Sequence, residues 1–173
     1  MTYRTKTYIA GDWTGDKDLI DQLYLWNNSK YWSLNFTDAH ELKQSRDSSL
    51  YCSIKRSLTD RLNASKTFVL IVGEQTKNLT KGNCKYCDSY NSWNKCCARG
   101  HNIDYRSYIE YECEKAQNDN LKIIVIYNSY SIQKEKCPEI LQDVGYHVKG
   151  LKVGTDWKIY WNYSEIEDAI MFW

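Results

Sequence analysis

Apolar residues repeat along this chain in two rhythms. Leu19, Ile20, Leu23 and Trp26 recur at three- and four-residue steps, as do Ile54, Leu58 and Leu62. This predicts helices over residues 17–27 and 50–62, the first with Asp16 as its N-cap. Residues 67–72 and Lys122–Tyr127 are instead unbroken β-branched and apolar runs, closed by Gly73 and by Asn128-Ser129. Strands that are apolar on both faces belong in the middle of a parallel sheet covered by helices. Lys6–Ala10 reads as an opening strand and residues 32–36 alternate like a second one, followed by polar loop to about Arg46. Pro138 precedes a short helix through Leu141, residues 146–148 read as an edge strand, and a closing helix spans about 164–173.

A further helix is predicted over residues 104–116, with Asp104 as N-cap and Tyr105, Ile109, Cys113 and Ala116 on one stripe. Tyr108 and Glu112, four residues apart, share the neighbouring face. The ring can therefore wall a pocket in which the carboxylate is partly desolvated. Glu110, Glu112 and Glu114 read equally well as solvated surface charges. Alternating elements with right-handed crossovers predict a doubly wound, flavodoxin-like three-layer α/β/α fold, a parallel sheet of order 2-1-3-4-5, in one domain over residues 1–173. Such sheets bind ligands beyond the carboxyl ends of their strands, where strand order reverses. Asp12, Trp13, Gly73, Glu74 and the helix start carrying Tyr108 and Glu112 fall there, with Asp38 further along the same edge.

Composition narrows the partners. Lys plus Arg 23 against Asp plus Glu 22 over 173 residues, with no basic block, argues against a nucleic-acid binder. Fifteen Tyr and 7 Trp beside one Pro suit a core, a ligand groove or a protein interface; Trp157, Trp161 and Trp173 read as packing the last helix against the sheet. With no apolar run of signal-peptide or membrane-spanning length, the expectation is a cytoplasmic protein without membrane association. In that compartment 7 Cys read as thiols or metal ligands before they read as disulfides. Cys84-x2-Cys87 and Cys97-x3-His101 lie in a polar insert over about 76–103, and these four residues match tetrahedral zinc. Reduced thiols and an oxidised pair are the alternatives. Beside the candidate site, the insert suits a lid or a partner surface. His40, His101 and His147 stand in no Ser or Cys nucleophile motif, and no GxGxxG is present, which removes hydrolase triads and Rossmann hydride transfer. A phosphoacceptor receiver would need an Asp where this strand ends in Val72-Gly73.

The residues Thr7-Tyr-Ile-Ala-Gly-Asp12, Asn35-Phe-Thr-Asp38, Val69-Leu-Ile-Val-Gly-Glu-Gln-Thr76 and Ser107-Tyr-Ile-Glu-Tyr-Glu112 resemble the TIR-like family that includes the DUF1863 proteins and the TIR-like sensors of Thoeris anti-phage systems. In TIR domains an aromatic residue, usually Trp, precedes a glutamate by four positions in the third helix; Tyr108 and Glu112 hold those places here. The resemblance implies two roles. Catalytic members cleave NAD at the nicotinamide–ribose bond, some recyclising the product, which would make Glu112 catalytic. By their position at the same sheet edge Asp12, Trp13, Gly73 and Tyr108 are then the candidate NAD-binding residues, with Asp12 and Trp13 placed to contact the ribose or nicotinamide. Scaffold members self-associate or bind other TIR-like and effector proteins, or sense a nucleotide, without turnover. Tyr in place of Trp, and a loop after the second strand without the family's Pro and Gly, are departures from the pattern.

Overall fold

The computed structural model describes residues 4–41 and 50–173. Four parallel strands form one sheet in the order β1 (Lys6–Ala10), β2 (Ser65–Val72), β5 (Lys122–Tyr127) and β6 (Tyr146–Lys149). Between β2 and β5 the insert folds a small hairpin, β3 (Tyr90–Asn91) and β4 (Cys96–Cys97). A second hairpin, β7 (Leu151–Val153) and β8 (Ile159–Trp161), follows β6; its three-residue strands carry too little pattern to be read from sequence.

The unbroken apolar runs are explained by burial on both faces. Phe68, Leu70 and Val72 of β2 point into one core with Leu58 and Leu62 of α2 (Tyr51–Asn63) and Ile109, Cys113 and Ala116 of α3 (Tyr108–Asn118). Val69 and Ile71 point into the other, with Leu19, Ile20, Leu23 and Trp26 of α1 (Lys17–Asn28) and Ile166 and Ala169 of α4 (Tyr163–Met171). Two helices cover each face, so the fold is the three-layer, flavodoxin-like α/β/α arrangement expected. None of the helices in the described residues is long and apolar enough to cross a membrane.

Four expectations need correction. Residues 32–36 form no strand. Asn35 takes a left-handed conformation (φ 52°), and the Asn27 side chain binds both the N–H and the C=O of Phe36 at 2.9 Å, satisfying the groups a strand partner would use. The chain still reaches the edge of β1, where Thr7 N–H donates to Thr37 O at 2.8 Å and a single parallel bridge joins Thr7 to Asp38. The second position of the 2-1-3-4-5 order is thus held by one bridge. Secondly, α3 is capped by Ser107 and not by Asp104. Ser107 Oγ accepts from Glu110 N–H while Glu110 Oε2 accepts from Ser107 N–H, a reciprocal capping box. Asp104 instead pairs with Lys55 and Arg106, and Tyr105 lies before the helix, half exposed. Thirdly, Asp16 occupies the α1 N-cap position without capping; its carboxylate accepts from Asn128 Nδ2 at 3.1 Å. Finally, Trp161 meets Trp26 edge-on and Trp173 contacts Tyr146 of β6, but Trp157 is 88% exposed, so Trp157 does not pack as expected. Most of the expected loop to Arg46 lies outside the described residues.

Candidate functional site

The carboxyl end of β1 delivers Gly11, Asp12 and Trp13 to a cleft of about 570 Å³, whose other walls come from α2, from the start of the insert and from the first turn of α3. That volume is in the range of small-molecule sites. Glu112 lies at its buried floor, only 6% exposed, where the Tyr8 hydroxyl donates to Oε1. Burial pushes the Glu112 carboxyl up to about 7, against the opposing effects of the Tyr8 hydrogen bond and the Arg61 charge. Arg61, itself buried, reaches this floor from the last turn of α2.

Around the mouth stands a second set of polar and aromatic groups. His40 packs between Tyr8 (5.1 Å between ring centres) and Trp13 (5.0 Å), and Trp13 approaches Tyr24 at 6.3 Å. Asp38 ties them together, accepting from Tyr24 Oη at 2.8 Å and from the His40 N–H at 2.9 Å. Its own burial would raise its pKa, but hydrogen bonds from His40 and Tyr24 prevail and hold it below the usual carboxylate range. Asp12 lines the cleft while its Oδ1 accepts from Thr14 N–H at 3.0 Å, which fixes the turn that presents Trp13.

Tyr108 forms part of the wall, as the spacing of Tyr108 and Glu112 predicts, and is clasped by the turn before it. Its N–H donates to Lys81 O at 2.9 Å, and Gly82, at φ +99°, brings its backbone so close that a Cβ there would stand 2.4 Å from the Tyr108 ring. The Tyr108 hydroxyl is buried with no hydrogen-bond partner among the described residues, and burial followed by the nearby Tyr51, Cys87, Cys84 and Cys52 raises its pKa. Two residues expected here lie elsewhere. Gly73 does not line the cleft: a Cβ at this position would stand 1.8 Å from Asp16 Oδ1, so glycine admits the buried Asp16 carboxylate. Glu74 pairs with Lys136 at the surface.

Residues 4–41 and 50–173 also place Cys84, Cys87, Cys97 and His101 around one small cavity, joined by Cys52 of α2. No three His, Cys, Asp or Glu side chains among the described residues are close enough to hold a metal ion as they stand. Cys113, next to Glu112, is core.

Tyr8, Tyr24, His40, Arg61 and Lys81 line the cleft but were not singled out by spacing. Arg61 carried a signal: it falls three residues after Leu58 and seven after Ile54, a charge on the apolar stripe of α2.

Residues 8–81 match the family described as Thoeris protein ThsB, TIR-like domain. The matched stretch supplies β1, α1, α2, β2 and most of the cleft wall, and stops before Tyr108 and Glu112. None of the curated proteins compared matches the chain. Residues 8–81 are thus similar to the TIR-like domain of Thoeris ThsB, and the four-stranded parallel sheet sandwiched between helix pairs agrees with a TIR-like α/β fold.

Proposed function

We infer that this TIR-like protein cleaves or cyclises NAD at the nicotinamide–ribose bond in bacterial defence signalling, with Glu112 as the catalytic residue. The observation that carries the reading is a buried carboxylate at the floor of a ligand-sized cleft at the carboxyl end of β1, walled by Tyr108 one helical turn earlier. In the reaction the C1′–N bond breaks and its electron pair leaves with nicotinamide. The ribose becomes oxocarbenium-like, and a fixed anion in a water-poor site stabilises that charge while holding the ribose hydroxyls. Water then adds at C1′ with loss of one proton, or a nucleophilic ring nitrogen of the adenine closes a cycle. Tyr8 and Arg61 favour the ionised form of Glu112. Asp12, Trp13 and His40 at the mouth suit the ribose and the nicotinamide ring, and Lys81 the diphosphate.

A second reading rests on the exposed aromatic side chains: Tyr31, Trp93, Trp157 and Phe172 are each at least 80% exposed, which suits a non-catalytic module that self-associates or meets a protein effector. Chromatography of NAD after long incubation with concentrated protein separates the two. Nicotinamide release by wild type and not by a folded Glu112→Gln variant supports the enzyme. A wild type that leaves NAD intact in its oligomeric form, with no nucleotide-dependent shift in melting temperature, supports the module.

A further inference from the structure

The polar insert contains the chain's densest group of soft ligands, and the fold gathers them. A turn over Cys84–Tyr86 closes with Cys87 N–H on Cys84 O at 3.0 Å, the β3–β4 hairpin returns Cys97 opposite Tyr90, and Ala98 N–H donates to Ser89 O at 2.7 Å. Gly100 N–H then donates to Cys97 O, turning the chain so that His101 joins Cys84, Cys87 and Cys97 around one cavity of about 10 Å³, the room of a single small sphere.

We propose that Cys84, Cys87, Cys97 and His101 bind one zinc-class divalent ion, which staples the insert beside the wall of the cleft. Three thiolates and an imidazole match tetrahedral zinc in type and number, and the Cys84-x2-Cys87 turn supplies two adjacent ligands from one loop. One surrounding group is already disposed to support a thiolate, since Asp104 N–H donates to Cys84 Sγ at 3.4 Å. The buried Tyr108 hydroxyl, near enough to Cys84 and Cys87 to feel their charge, has no hydrogen-bond partner among the described residues. A metal-bound thiolate accepts such hydrogen bonds far better than a neutral thiol does, and outer donors of this kind hold ligands in place. As they stand these side chains are too far apart to hold an ion, so binding requires them to turn inwards around the cavity, with release of the thiol protons. A long segment poor in apolar contacts gains most from such a staple. Gly82, two residues before Cys84, lies against the Tyr108 ring, so the ion also steadies that side of the cleft.

Metal analysis of the full chain purified reduced from zinc-supplemented cells, with the absorption spectrum of its cobalt form, tests this. One ion per chain and a thiolate-to-cobalt charge-transfer band with tetrahedral ligand-field bands are expected. Cys97→Ser and His101→Ala should each weaken cobalt binding at least tenfold, while Cys96→Ser and Cys52→Ser leave it unchanged. A reduced wild-type protein without stoichiometric metal and without the cobalt bands would overturn the proposal whatever the variants do. Loss of binding in Cys52→Ser with retention in His101→Ala would overturn this ligand set.

Discussion

The Tyr8 hydroxyl and the Glu112 carboxylate, 104 residues apart in sequence, meet in a hydrogen bond at the floor of the cleft. Tyr8 is held on β1 by stacking on Phe68, with ring centres 5.9 Å apart, so the donor's position is set by the sheet itself.

Tyr8→Phe keeps that stacking and removes the donor. The Glu112 carboxyl then loses the first of the two influences that lower its pKa and should titrate above 7. NMR titration of Glu112 checks the shift, and denaturant melts should show a loss of about 1–3 kcal/mol at pH 8, where an ionised carboxylate is left without its partner.

Glu112 also imposes a pH dependence on stability. Its pKa is raised from 4.5 to about 7, so as pH rises the unfolded chain releases the proton first and the native state loses stability across that window. At about 1.36 kcal/mol per unit the effect is roughly 3 kcal/mol. Glu112→Gln, which cannot ionise, should therefore gain stability relative to wild type between pH 5 and pH 8. A constant difference between the two proteins over that range would contradict a raised pKa.

Gly73 offers a contrast between packing and binding. Gly73→Ala forces a Cβ against the Asp16 carboxylate, which Asn128 also holds, and should cost on the order of 1–3 kcal/mol. Because Gly73 does not line the cleft, nucleotide affinity measured on the folded fraction should be unchanged.

Ser107→Ala removes half of the capping box at the start of α3 and should cost about 1 kcal/mol, a fall in melting temperature of roughly 2–4 °C. Asp104→Ala tests a different bond: its carboxyl is lowered to about 2, burial being outweighed by Arg106 and Lys55. That contribution is present above the ordinary pKa of 3.8 and fades as pH falls towards 2, so the variant and wild type should converge in stability only in acid.

Much of this fold was legible because the core positions of its central elements are periodic. The strand runs at 67–72 and 122–127 and the stripes Leu19-Ile20-Leu23-Trp26 and Ile54-Leu58-Leu62 fall in the two cores as patterned. Where local pattern and tertiary contact disagree, the reading failed. Residues 32–36 alternate, yet Asn27 takes the backbone bonds of Phe36. Asp104 has the chemistry of a cap, yet Lys55 and Arg106 draw it away, and the Ser107-x-x-Glu110 signature three residues on was the better signal. In the cleft, the pairing of Tyr108 with Glu112 follows from helix spacing. The place of Tyr8 does not, because its partner comes from the far side of the chain, and the packing role of Gly73 depends on Asp16 crossing to it.

The most direct measurement is nicotinamide release from NAD at pH 6 and pH 8 by concentrated wild-type protein beside a Glu112→Gln variant whose folding has been verified. Catalysis by ionised Glu112 predicts release by wild type that increases through pH 7, and none by the variant. Equal release by both proteins, or NAD left intact by wild type at either pH, would contradict it.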